Sequence, residues 1–467
     1  MSDRDLVRQL LRNDLPSFVQ RCFQTVAPGV PYEHNWHIEA ICYHLVQCFR
    51  REIKRLIITV PPRHLKSLCA SIAFAAWALG RDPTLRIINV TYSNDLTNDL
   101  SRQFRAIMNS DWYCSTFPGT RAAKETEAEY VTTSGGFRYG TSIGGTLTGR
   151  GGNLIIIDDP IKPEEALSKP ARDAATSWFR TTLATRLDNK KDDVIILVMQ
   201  RLHVEDLAGY ILEADPVGWN RLDLPAIADG PQAIPISDRD IHRRNTGDLL
   251  HPEREPRDVL ERLKASMGSG SFSAQYLQQP VPEMGNLIKR DWFKFYERIP
   301  DHTTRSRLVQ SWDTANKPEH CNDPSVCTTW LESEDRYYLI DVARHRVDYP
   351  CLRRLVVTLR DRFRPDAILI EDKGSGTALI QELRAGPPPH PIAIEPKGDK
   401  QMRMHVQAAK IESGQVYLPR EASWLSEFLS EMLAFPRSRH DDQVDSVSQF
   451  LSWVGQRQAP IFDYWFV

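Results

Sequence analysis

Between Leu56 and Met199, short apolar runs of strand length alternate with longer stretches of helical spacing, and few folds accept that order. Strands are expected at 56–60, 86–92, 153–158 and 193–199, with helices at 65–79, 95–109 and 163–188 between them. This α/β alternation predicts a mostly parallel sheet flanked by helices. Two further helical patterns, at 4–25 and 36–52, precede the first strand.

At 467 residues the chain exceeds one ordinary core and is expected to form two domains. The segment 215–250, rich in Pro, Asp and Arg, reads as an irregular lid or linker, followed by a short helix near 256–267. The Pro and Gly content of Gln278–Gly285 reads as a hinge, so the expected domains are 1–284, with the lid near 215–284, and 285–467. In the second, strands at 307–314, 325–331 and 336–343, a helix at 350–362 and a strand at 366–371 follow the layout of a ribonuclease H-like α/β domain. The tail from Gly455 to Val467 is short and aromatic.

A formal net charge of −2 leaves no global basic footprint, so any nucleic-acid contact must come from local patches such as Arg344, His345 and Arg346. The eight cysteines form no C-x-x-C pair and no dense disulfide pattern, so reduced thiols are expected. The N-terminus lacks signal-peptide character and no run approaches ~18 apolar residues. A soluble, intracellular protein without membrane contact is the expectation.

The first strand breaks at Pro61 and Pro62 and delivers Lys66 and Ser67 to a helix start, the layout of a phosphate-binding P-loop. There the lysine adds charge at the outer phosphates and the hydroxyl binds magnesium. Leu65 stands where the strict pattern has the glycine before its lysine. The run Leu154–Ile157 ends in Asp158 and Asp159, at the strand edge where open parallel sheets bind ligands. Asp158 is expected to hold magnesium, with Asp159, or else Glu164 or Glu165, orienting the attacking water. Gln200 and Arg201 end the 193–199 strand beside the expected γ-phosphate, His64 lies within the loop, and Arg63 or Arg150 is available to neutralise transition-state charge. The expected cofactors here are ATP and Mg2+.

Farther on, Asp313 ends a strand, Glu371 and Asp372 end another before Lys373 and a glycine turn, and Asp441, Asp442 and Asp445 lie three and four apart near His440. Like charges so placed destabilise a helix unless a cation is bound. Carboxylates converging from three elements suit two-metal phosphodiester hydrolysis with Mg2+ or Mn2+.

Five motifs in one order carry a resemblance: Pro61–Ser67, Ile155–Pro160, Gln200–His203 with Glu205–Leu207, Trp312–Ala315 and His440–Asp445. Over roughly residues 30–455 the chain resembles the large subunit of tailed-bacteriophage terminases. The resemblance implies a P-loop ATPase followed by a ribonuclease H-like nuclease, with Arg63 as the loop arginine and Arg150 offered to a neighbouring subunit. It points to Glu371 rather than Asp372 as the second nuclease acid. Many members have glycine at the place of Leu65 and glutamate at the place of Asp159. Implied partners are double-stranded DNA, the portal protein, a small terminase subunit and further copies in a ring docked on the procapsid, in the host cytoplasm. A repair or defence helicase-nuclease and an inactive prophage remnant that only binds DNA or portal are the alternatives.

Overall fold

The structure, a computed structural model, describes residues 2–147, 149–281, 287–301, 303, 305–314, 324–396, 398–436 and 440–458, the last three by backbone alone. The expected boundary at 284/285, Ala315 and the tail beyond 458 lie outside the described residues. The described chain divides into two compact units: one of residues up to 260 with 270–281, the other of 261–269 with those from 287 onward.

The first unit is built on eight strands: β1 Arg55–Thr59, β2 Arg86–Thr91, β3 Ala122–Glu125, β4 Glu129–Thr132, β5 Phe137–Ser142, β6 Leu154–Asp158, β7 Val194–Met199 and β8 Asn220–Asp223. Their order is β3-β4-β5-β2-β6-β7-β1-β8, parallel throughout from β5 to β8, with β3 and β4 antiparallel at one edge. Every residue of β6 and β7 is buried because helices cover both faces, which is why these strands read as unbroken apolar runs.

Local chemistry adjusts the expected elements. The 4–25 helix is two, Asp3–Asn13 and Leu15–Val26, because Asp14 caps the second by accepting the Ser17 N–H at 2.9 Å. The 163–188 helix is interrupted: a 3₁₀ turn at Pro163–Glu165, an α-helix at Lys169–Thr181 and another 3₁₀ turn at Leu183–Arg186, with prolines opening the first two. The segment 215–250 is more regular than expected. Its residues supply β8, which extends the main sheet beside β1, and a hairpin of β9 Gln232–Pro235 with β10 Ile241–Arg244.

The second unit has seven strands: β11 Lys294–Tyr296, β12 Ser306–Asp313, β13 Ser325–Ser333, β14 Arg336–His345, β15 Ala367–Glu371, β16 Pro391–Ile394 and β17 Val416–Pro419. They run β11-β17-β14-β13-β12-β15-β16. An antiparallel β14-β13-β12 meander continues into parallel β15 and β16, the ribonuclease H-like arrangement. Pairing of Trp312 with Ile370 puts the next residues, Asp313 and Glu371, side by side at the sheet's edge. The closing helix, Asp442–Gln458, is pinned beneath β12: the hydroxyl of Ser446 donates to the Ser311 carbonyl at 2.8 Å, and that of Ser311 to the Ser446 carbonyl at 2.8 Å.

Candidate active sites

In the first unit β6, β7 and β1 are neighbours, so their C-terminal ends bring Asp158, Gln200 and the 61–67 loop together. Lys66 and Ser67 sit in the first helical turn after that loop. The Ser67 hydroxyl donates to Asp158 Oδ1 at 3.1 Å, and the Lys66 ammonium meets Asp159 Oδ2 at 2.8 Å. Burial, aided by the charge of Asp159, pushes the Asp158 carboxyl up to about 6. Burial works against the Lys66 charge, yet Asp159 and Asp158 together hold its proton above the usual lysine range. The Gln200 N–H reaches Asp159 Oδ1 at 3.3 Å, and the buried Gln200 Oε1 has no partner. Arg63 and Leu65 both adopt left-handed backbone, with φ of 62° and 59°. Leu65 thus takes the glycine conformation while its side chain packs on the apolar core.

Three expected contributors are not part of this cluster. His64 is turned into the protein: Nδ1 lies 2.9 Å from the Pro62 carbonyl, Nε2 lies 3.7 Å from Glu255, and burial lowers its proton affinity to about 4. Arg201 is locked onto the buried carboxylate of Asp206 at 2.9 Å and 3.0 Å, because Asp206 caps the helix Leu207–Ala214 and needs a counter-charge. Arg150 pairs with Glu129 and stacks over Tyr139 at 4.2 Å. Glu164 and Glu165 lie exposed in the 163–165 turn.

In the second unit Asp313 is pushed far above the ordinary carboxylate range by burial and then by the charges of Asp445, Glu371 and Asp442. Those four acids therefore form one electrostatic cluster. Burial raises Glu371, and burial with the charges of Glu431 and Asp441 takes Asp442 up to about 6. Asp372 stands apart: its carboxylate accepts from the Thr377 hydroxyl at 2.7 Å, and its charge is not one of the largest acting on Asp313. Lys373 is exposed but within electrostatic reach of Glu371. The expected basic patch is reduced, since Arg344 is paired with Glu427 and lies 3.8 Å from Glu431.

The family model described as the terminase RNaseH-like domain matches residues 310–453. The second unit carries a terminase RNaseH-like domain. The large terminase of a thermophilic bacteriophage in complex with ADP aligns over 87% of this chain and 98% of its own, at 12% identity and a TM-score of 0.52. The complex of the same phage terminase with ATP-γ-S aligns over the same shares at 11% identity and a TM-score of 0.52. The large terminase nuclease of the thermophilic phage G20c with bound magnesium covers 37% of this chain and 98% of its own, at 18% identity and a TM-score of 0.30. No curated protein matches the sequence. The fold is thus that of the large terminases, a P-loop ATPase domain with a ribonuclease H-like nuclease domain.

The acid cluster of the second unit has features that a divalent cation would answer. Asp442 Oδ2 is a buried acceptor with no partner, and a cluster of acids that raise one another's proton affinity is one that a divalent cation would relieve. Among the described residues no group of three His, Cys, Asp or Glu side chains stands ready-made around an ion. Cations from the chain hold the oxygens instead: Lys400 Nζ lies 2.6 Å from both Asp441 and Asp445, and Arg403 lies 2.6 Å from Asp445. Sequence reasoning did not find these two residues, nor the buried chain behind Asp158. There the Ser71 hydroxyl donates to Asp158 at 2.6 Å, the Asn89 amide donates to Ser71 at 3.2 Å, and Arg138 donates to Asn89 at 2.5 Å. Helical spacing from Ser67 to Ser71 was the available signal for the first; nothing in the sequence marks Arg138, two strands away.

Proposed function

We propose that this chain is the ATP-driven motor and cutter of viral genome packaging. ATP hydrolysis in the first unit would move double-stranded DNA into a procapsid, and the second unit would cut concatemeric DNA. The observation that carries the reading is the coexistence in one chain of two intact centres, Lys66–Ser67 with Asp158–Asp159 and the Asp313–Glu371–Asp442–Asp445 cluster.

In the ATPase, Lys66 would exchange Asp159 for the outer phosphates, and Ser67 and Asp158 would hold Mg2+. Asp159, so released, is placed to orient water, with Gln200 beside it; Arg63 lies in the loop, and Arg150 would have to leave Glu129 to serve a neighbouring subunit. In the nuclease, Asp313, Glu371, Asp442 and Asp445 would hold Mg2+ or Mn2+, which when bound as a pair supply charge stabilisation to the attacking and leaving oxygens. The nucleotides bound by the similar thermophilic-phage terminase agree with the first assignment. The partners follow from the same reading: duplex DNA, portal, a small terminase subunit and further copies in a ring, assembled transiently in the host cytoplasm. A helicase-nuclease would need a second motor domain, and the second unit has a nuclease fold in that place.

The test is ATP hydrolysis and supercoiled-plasmid cleavage by the full chain, alone and with DNA and portal. Lys66→Ala is expected to lose ATPase by 100-fold or more (on the order of the loss from removing a key transition-state charge) and to keep cutting. Asp313→Ala should do the converse. Absence of both activities in the unaltered chain would leave a protein that only binds DNA or portal.

A further inference from the structure

The cutting centre contains a cation of its own. Asp441 and Asp445 stand four residues apart at the start of the closing helix, and the Lys400 ammonium lies between them, 2.6 Å from Asp441 Oδ1 and 2.6 Å from Asp445 Oδ2. Arg403, one turn further along the helix Lys400–Glu412, takes the other oxygen of Asp445 at 2.6 Å. Asp445 is only 4% exposed, so both of its oxygens are engaged by chain cations and an arriving ion finds neither one open.

The two cations differ in how they can yield. The Lys400 side chain is 48% exposed, on a flexible four-carbon stem with a route into solvent, whereas that of Arg403 is 20% exposed and presents a planar fork. The helix carrying them is held at its start by Asp399, whose carboxylate accepts the Met402 N–H at 2.8 Å. The ammonium can therefore swing out without moving the backbone.

We propose that Lys400 is an internal counter-ion that occupies the divalent-ion position of the nuclease and thereby sets the ion concentration at which cutting begins. In the ion-free protein it neutralises carboxylates that would otherwise repel one another. A divalent ion has to displace it, so the apparent affinity for the ion falls by the fraction of molecules in which the ammonium is in place. This rests on the reading of the acid cluster as an ion site.

The experiment is Mn2+ binding to the full chain by titration calorimetry, alongside thermal melting in EDTA, for the unaltered protein, Lys400→Met, Lys400→Arg and Asp313→Asn. Lys400→Met is expected to bind Mn2+ about tenfold more tightly or better, to melt at a lower temperature in EDTA and to gain more from added Mn2+. Lys400→Arg, which keeps the charge on a planar fork that yields less readily, should bind Mn2+ no more tightly than the unaltered protein. Equal or weaker binding by Lys400→Met, with binding lost in Asp313→Asn, overturns the inference and leaves the ion site standing. Unchanged binding in Asp313→Asn overturns the ion site and this inference together. Should Lys400→Met fail to fold, Lys400→Gln is judged by the same binding criterion.

Discussion

Burial without a counter-charge is the recurring condition of the residues beside the phosphate-binding loop. His37 and His64 stand with ring centroids 5.4 Å apart, and burial pushes both below the ordinary histidine value of 6.5, His64 to about 4. The unfolded chain therefore takes up protons that these folded rings refuse. Their contribution to stability is complete above pH 6.5 and is lost as pH falls toward 4, by up to roughly 3 kcal/mol for His64. Asp158 and Asp442 act in the opposite sense, since their folded carboxyls sit near 6 against 3.8 unfolded and add stability as pH falls through that window. Comparing melting temperatures of the unaltered protein and His37→Gln from pH 7 to 5 isolates the histidine part: the unaltered protein is expected to lose more over that range. Parallel curves would show that His37 takes up its proton as readily in the fold as in the unfolded chain. The Arg138–Asn89–Ser71 chain reflects the same condition in reverse. Burial lowers Arg138 to about 9, and amide and hydroxyl partners, with Phe104 at 4.8 Å, stand in for a carboxylate.

At the scale of elements, each centre depends on a tight exit from a strand. After β15 the chain turns through Gly374, with φ of 57°, into the helix Ser375–Arg384. A Cβ on Gly376 would lie 2.1 Å from the Glu371 carbonyl oxygen, a backbone atom that cannot step aside without moving the end of β15. Gly376→Ala is therefore expected to displace Glu371 and cut plasmid cleavage by at least about tenfold, as misplacing a reacting group by an ångström does, while ATP hydrolysis persists. Retained cleavage would mean that the Glu371 position is not needed. The closing helix acts through its polar bracket as well as its apolar face: Ser446, next to Asp445, is bonded to Ser311, while Phe450 stacks on Trp330 at 4.6 Å. These small bonds carry Asp442 and Asp445 to Asp313.

For the whole molecule, each unit has its own buried apolar clusters: Leu56, Phe74 and Ile156 belong to those of the first, and Val309, Trp330 and Phe450 to those of the second. Separate cores favour separate unfolding steps, and a ligand stabilises only the unit that binds it. Calorimetric melting is expected to give two transitions, with Mg-ATP raising one and Mn2+ alone raising the other. Lys66→Ala should remove the first shift and Asp313→Asn the second. One transition moving as a whole with either ligand would show that the units melt together. No helix among the described residues is long and apolar enough to cross a membrane.

The alternation of apolar runs and helical stretches determined from sequence the parallel sheet and the ends of its central strands, because β6 and β7, buried on both faces, stay apolar up to the residues that end or follow them. Hence Lys66, Ser67, Asp158, Asp313 and Glu371 were recognisable before any coordinates. The edge strands β3 and β8 and the buried β4 and β5 were not foreseen, for all four are short and carry polar residues among their apolar ones, so they lack that signature. Only the tertiary structure decided which charges meet. Arg201 and Arg150 looked available for nucleotide but are engaged by Asp206 and Glu129, five and 21 residues away, and His64 is buried against the Pro62 carbonyl. Lys400 and Arg403, 41 or more residues from the acids they hold, carried no local mark of their role. Strand ends are set by a local balance of apolar and polar residues, whereas a side chain's partner depends on which faces packing brings together.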